Sequence, residues 1–161
     1  MIVYGIDPGV TGALACIVNG TLHAVADMPT REEGRGTVKR RACAAGIAAQ
    51  IREWRGQLGV DAELAIIERV AARPGQGVAS MFSLGHSAGV AEAVMLTLGV
   101  RVDHAAPASW KSSVGAGKDK ATSQARASVL YPSHAGQWAR AKDHNRAEAV
   151  LLAHYGLREM H

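Results

Sequence analysis

The chain opens Met1-Ile-Val-Tyr-Gly-Ile-Asp7-Pro-Gly-Val-Thr-Gly12-Ala-Leu-Ala15, and the rest of the sequence is most simply understood around this segment. Ile2 to Ile6 is an apolar, β-prone run that stops on a carboxylate, with Pro8 and Gly9 directly after it. Proline holds the preceding residue in the extended region, so Asp7 keeps strand geometry, while Gly9 and Gly12 let the backbone turn closely around whatever the carboxylate binds. A buried strand that delivers an acid to a tight turn is the layout of a metal or phosphate site. Asp-Pro-Gly is also ordinary turn chemistry, so the other acids of the chain must decide between the two.

Working outward, residues 13–18 read as a second strand, Asn19-Gly20 as a two-residue type I′ link, and residues 22–28 as a third strand. The charged, glycine-bearing segment 29–37 reads as a loop. Ile47, Ile51, Trp54 and Leu58 recur at helical spacing and predict a helix over about 38–57. Leu64-Ala-Ile-Ile67 is a continuous apolar run of the kind covered on both faces, and it too ends on an acid, Glu68. After an irregular loop over 69–77 comes a helix over about 78–98, in which Gly85, Gly89 and Ala93 fall four apart. That smooth face suits either packing onto the protein's own sheet or a subunit interface. A short strand over 101–105, a helical turn from Pro107, a glycine-rich basic loop over 115–120, and helices over about 120–130 and 143–155 complete the pattern. Phe82 is expected in the core. The whole predicts a mixed α/β sheet covered by helices, with three antiparallel strands first. Parallel neighbours at Asp7 and Glu68 would put both acids at one sheet edge.

The totals agree. A length of 161 residues suits a single domain with a full core, and a net charge of +4 with a pI of about 9.4 points to an anionic partner. Cys16 and Cys43 have no metal-ligand spacing, and no stretch resembles a signal peptide or a membrane span, so a cytoplasmic protein without membrane attachment is expected.

Lys142-Asp143-His-Asn-Arg146-Ala-Glu148 forms the third acidic element, at the start of the last helix. Glu148 lies among small aliphatic residues, where a carboxylate is costly unless it is paired or binds a cation. Asp143, five residues earlier, sits about 140° away around an ideal helix, so it can converge with Glu148 only from before the first turn, where it could equally cap the helix. Two strand-end acids and a helix-borne pair could hold two Mg²⁺ or Mn²⁺ ions, hard cations that favour oxygen ligands and can support in-line phosphodiester cleavage.

Five separated elements, Gly5-Ile-Asp7-Pro-Gly-Val-Thr-Gly-Ala-Leu-Ala15, Ile66-Ile-Glu68, Leu84-Gly-His-Ser-Ala-Gly89, the lysine-bearing stretch from Trp110 to Lys120, and Asp143-His-Asn-Arg-Ala-Glu148-Ala, resemble a RuvC-type Holliday junction resolvase over nearly the whole chain. The Trp-Lys element, Tyr131-Pro132 and the last run are especially similar to the phage-like and chloroplast branch. The resemblance implies an RNase H-like fold in one nuclease domain, a homodimer, and Mg²⁺-dependent paired nicking of four-way DNA junctions. It implies metal-ligand roles for Asp7, Glu68 and Glu148. Bacterial members usually carry the fourth ligand three residues before the last acid, which here is Asn145; the phage-like pattern selects Asp143, with His144 as the fallback.

Lys118 and Lys120 match the family's catalytic lysine region, and Lys111 a phosphate-contacting position; a positioned ammonium offsets the charge that builds on phosphate oxygens. Arg69, Arg73 and Arg146 could bind backbone phosphates. Many bacterial relatives carry an aromatic wedge just after the second acid, but here Val70, Ala71 and Ala72 follow Glu68, leaving Arg73, Gln76 or Phe82 to open a junction. Three other readings stand beside this one. The chain could be an RNase H-like nuclease acting on RNA–DNA hybrids or other branched DNA, or a junction-binding protein without catalysis. Asp7-x-Gly9-x-Thr11-Gly12 also resembles the phosphate loop of actin-like kinases, but their fold repeats its core in two domains and this chain has room for one.

Overall fold

A computed structural model of the protein describes residues 1–34, 39–56, 58, 62–72, 74–117 and 119–159. Five strands, β1 (Ile2–Asp7), β2 (Ala13–Val18), β3 (Thr21–Asp27), β6 (Glu63–Glu68) and β7 (Arg101–Ala105), form one sheet in the order β3-β2-β1-β6-β7. The β1–β2 and β2–β3 pairs are antiparallel, whereas β1–β6 and β6–β7 are parallel. The expected mixed five-stranded sheet is therefore present. Asn19 and Gly20 both have positive φ, 48° and 84°, as the type I′ link between β2 and β3 requires.

The sheet's central strand β1 is buried on both faces, and its alternate side chains feed two separate layers of core. Ile2, Tyr4 and Ile6 pack with Ile47, Ile51 and Trp54 of α1 (Ala44–Gly56) and with Ala91 and Met95 of α2 (Val78–Thr97). Val3, with Ile66 of β6, packs against α5 (His144–Glu159), whose Ala149, Val150 and Ala153 are fully buried. Each Ile, Val or Met side chain so taken from water contributes about 1.5–3 kcal/mol. α3 (Pro107–Val114) and α4 (Lys120–Leu130) close the α5 side through Trp110, Val114 and Ala127.

Gly5 fixes how closely α5 crosses β1. A Cβ at Gly5 would stand 2.0 Å from the Ala149 carbonyl oxygen and 2.4 Å from the Ala153 nitrogen, backbone atoms that cannot step aside. The helix thus lies directly on the strand, and Glu148 is carried to the end of β1.

Two expectations need correction, and one of two open alternatives falls away. Residues 29–37 are not simply a loop, because β4 (Thr30–Glu33) and β5 (Lys39–Ala42) pair antiparallel in a separate two-stranded sheet, and α1 consequently begins at Ala44 rather than near 38. The pairing is held by polar cross-strand contacts, Arg41 Nε to Glu33 Oε2 at 3.1 Å and Arg40 Nη2 to Thr30 Oγ1 at 2.7 Å. Phe82 is not a core residue but 66% exposed. Gly85, Gly89 and Ala93 do not pack onto the sheet; they face outward, and a Cβ at either glycine would meet nothing within 4 Å. No helix among the described residues is long and apolar enough to cross a membrane.

Candidate active site

Asp7 is the last residue of β1 and Glu68 the last of β6; the parallel register pairs Ile6 with Ile67, so the two acids leave neighbouring strands side by side. Beyond Asp7 the chain reverses tightly. The Gly12 amide donates to the Gly9 carbonyl at 2.9 Å, and a Cβ at Gly12 would stand 2.0 Å from the Asp7 carbonyl oxygen, so only glycine lets the turn close there. Glu148 comes from the second turn of α5, seated by the Gly5 contact described above.

The three carboxylates act on one another. Asp7 retains a little solvent contact but is densely surrounded by protein, and burial is the main force that pushes its carboxyl up to about 8, with the charges of Glu68 and Glu148 adding to it. Lys111 and Lys120 pull the other way. A carboxyl raised in this way disfavours its charged form, and a cation placed beside it would stabilise that form.

Neighbouring side chains already hold two of the acids. Lys111 Nζ donates to Glu148 Oε1 at 2.6 Å and Ser123 Oγ donates to the same oxygen at 3.1 Å; Trp110 Nε1 donates to Glu68 Oε2 at 2.9 Å. α3 therefore spans two of the acids with consecutive residues. Ser123 carries no sequence signal of its own, since a serine in a helix interior is unremarkable until the helix is seen packed on Glu148.

Asp7 and Glu68 open into a cleft of about 560 Å³ whose rim includes Arg69 and Gln76. Its donor set of hard carboxylate oxygens, with Glu68 and Glu148 disfavouring a further negative charge on buried Asp7, fits a divalent cation such as Mg²⁺. Among the described residues no three His, Cys, Asp or Glu side chains surround a single point as a preformed metal cage. Glu148 is engaged by Lys111 instead.

The remaining expected site residues divide. Lys120 is exposed and its charge is felt at Asp7. Asp143 precedes α5, as convergence would demand, but Arg140 holds its carboxylate in a bidentate pair, Nε to Oδ2 at 2.6 Å and Nη2 to Oδ1 at 3.0 Å, and keeps its pKa low. His144 directs Nδ1 to the Ala141 carbonyl at 3.0 Å. Arg146 pairs with Asp27 at the end of β3, Nε to Oδ1 at 2.6 Å and Nη2 to Oδ2 at 2.7 Å. Asn145, one turn before Glu148, donates its amide to the Thr11 carbonyl at 2.5 Å and so ties α5 to the turn after Asp7. Lys118 and Arg73 lie outside the described residues.

A second groove, of about 920 Å³, is lined partly by the same Gln76 and Leu84 and runs between Thr11, the basic strand β5 and the first turns of α2. Sequence reading missed β5 as a part of this surface, because Lys39-Arg-Arg41 follows a segment with no apolar periodicity.

No protein family model and no curated protein sequence matches the chain. Among solved structures, the chain is similar to Thermus thermophilus RuvC in complex with a Holliday junction substrate, with a TM-score of 0.68 and 16% identity over 99% of this chain and 96% of that one. It is also similar to a further Thermus thermophilus RuvC structure, with a TM-score of 0.51 and 19% identity over 99% and 97% of the two chains. The protein has the RNase H-like fold of RuvC.

Proposed function

We propose that the protein is a RuvC-type Holliday junction resolvase of the phage-like and chloroplast branch, a divalent-metal-dependent endodeoxyribonuclease in one nuclease domain that makes paired nicks in four-way DNA junctions. The observation that carries this reading is the convergence of Asp7, Glu68 and Glu148, from two parallel strand ends and one helix, with Asp7 raised chiefly by burial and further by the charges of the other two. Whole-length similarity of fold to a structure containing a Holliday junction supports junction DNA as the substrate class.

Asp7 and Glu68 would hold the cation from the cleft they share, with Glu148 as the third carboxylate; Asp143 remains a fourth candidate only if Arg140 releases it. When bound, one or two Mg²⁺ or Mn²⁺ ions would activate water and neutralise charge on the scissile phosphate. The chain's own groups do the rest. Lys120 at the start of α4, and Lys118 two residues before it in sequence, would offset charge building on the phosphate oxygens, while Lys111, now on Glu148, is close enough to the acids to contact a phosphate placed over them. Arg69 and Gln76 on the cleft rim would position the strand, and Arg73 is a further candidate phosphate contact. Arg146 would reach a phosphate only by leaving Asp27.

Paired nicks require two sites, and the outward face of α2 suits a homodimer. Gly85 and Gly89 admit close approach of a second helix, and Val78 and Leu96, 79% and 55% exposed, extend the apolar stripe on either side. The test is side-by-side incubation of a mobile-core four-way junction, an RNA–DNA hybrid and a flap with Mg²⁺ or Mn²⁺. Paired cuts confined to the junction support resolvase action, and preferential cutting of the hybrid favours the other RNase H-like activity.

A further inference from the structure

Ser123 is fully buried in α4, one helical turn before the equally buried Ala127. Ala127 shares a core cluster with Ala147 and Leu151, the residues that flank Glu148 on α5, so this face of α4 is seated on α5. A hydroxyl enclosed in this way needs an acceptor, and Ser123 Oγ donates to Glu148 Oε1 at 3.1 Å. Lys111 Nζ donates to the same oxygen at 2.6 Å. Among the described residues both donors fall on Oε1 and none on Oε2. The two donors differ in permanence. Lys111 has a long, flexible side chain and a phosphate to reach, whereas Ser123 has one side-chain torsion and is locked in a packed helix.

A carboxylate with one oxygen committed to a fixed donor offers a metal the other oxygen alone. Mg²⁺ takes single, well-placed oxygens in a near-octahedral set. Ca²⁺ takes more oxygens in looser geometry and often accepts both from one carboxylate. We infer that Ser123 is a positioning residue that holds Glu148 to one-oxygen ligation and so biases the site toward Mg²⁺ and against Ca²⁺. The inference rests on the reading of Glu148 as a metal ligand and adds what selects the ion. Lys111 constrains the same oxygen while it stays on Glu148, but its ammonium also repels the cation. The neutral hydroxyl constrains without repelling, and it stays in place when Lys111 turns to a phosphate.

The test follows the melting temperature of the full chain, without DNA, against the concentration of MgCl₂ or CaCl₂, which reads the affinity of the folded protein for each ion. In Ser123→Ala the Mg²⁺ concentration for half-maximal stabilisation should rise about 10-fold, as when an outer donor to a metal ligand is removed, while that of Ca²⁺ stays level or falls. Ser123→Thr keeps the hydroxyl and should keep the preference of the unaltered chain. Ser123→Cys, close to serine in size but a weak donor, should follow Ser123→Ala, which separates the hydrogen bond from the volume. Equal weakening of both ions, or an unchanged ratio in both Ser123→Ala and Ser123→Cys, would give Ser123 a purely structural role and overturn the inference, leaving the nuclease reading standing. An unaltered chain stabilised by neither ion would overturn the metal-dependent nuclease reading as well.

Discussion

Lys111 Nζ rests 2.6 Å from Glu148 Oε1, so the ammonium of α3 occupies the coordination space of the acid on α5. The pair is mostly buried, with 20% and 13% of the two side chains exposed, and Lys111 also lies 5.2 Å from the Trp110 ring centroid. An ammonium in this place restrains the repulsion among the carboxylates and competes with any cation that needs Glu148. Lys111→Met should therefore lower the Mn²⁺ concentration needed for half-maximal thermal stabilisation at pH 8.5. Junction nicking at saturating metal should fall about 10- to 100-fold, because the phosphate contact is lost. Metal-dependent melting curves and single-turnover cleavage measure the two effects.

The raised Asp7 carboxyl gives a signed pH dependence. With its folded value near 8 against an ordinary 3.8, the folded state keeps a proton that the unfolded chain has already released. That contribution to stability is fully present below about pH 4 and is lost as pH rises toward 8. Metal-free Asp7→Asn lacks this decline, so its melting temperature should exceed that of the unaltered protein by several degrees at pH 8 and by much less at pH 5. Melting at the two pH values in chelator checks it, and equal pH profiles for the two proteins would contradict it.

Gly5→Ala tests how α5 is seated. The new methyl would meet the backbone of Ala149 and Ala153, so the helix must shift or the strand must bend. A loss of about 1–3 kcal/mol is expected in denaturant unfolding, as for other overpacked cores. Cleavage should fall more than stability does, because the shift carries Glu148 away from Asp7.

The parts of this molecule legible in its sequence are those where burial imposes a period. Ile2 to Ile6 and Leu64 to Ile67 are buried on both faces, so both strands and their terminal acids could be read directly. β4 and β5 could not, because Thr30-Arg-Glu-Glu33 and Lys39-Arg-Arg-Ala42 pair through charges and hydroxyls, with only Ala42 of the two strands buried. Phe82 followed the apolar period of α2, but the period says which residues share a face and not whether anything covers it. Asp143 failed to be legible for a local reason: a partner three residues earlier, Arg140, takes its carboxylate, and such pairing depends on the 3-10 turn at Ala141–Asp143 that no pattern signals.

The exposed stripe of α2 bears on assembly. Gly89→Arg places a long charged side chain where the smooth face should meet its partner, and open space around the glycine lets the monomer fold unchanged. The variant should sediment as a monomer at micromolar concentration, with far-ultraviolet circular dichroism unaltered and paired nicking reduced to single nicks.

The most direct measurement is strand-by-strand mapping of nicks in a mobile-core four-way junction, for the unaltered chain and for Asp7→Asn, with Mg²⁺ and with chelator. The account expects symmetric nicks in two opposed strands with Mg²⁺ only, none from Asp7→Asn, and junction binding retained by both proteins. Cleavage by Asp7→Asn at the rate of the unaltered chain, or nicking undiminished in chelator, would contradict it.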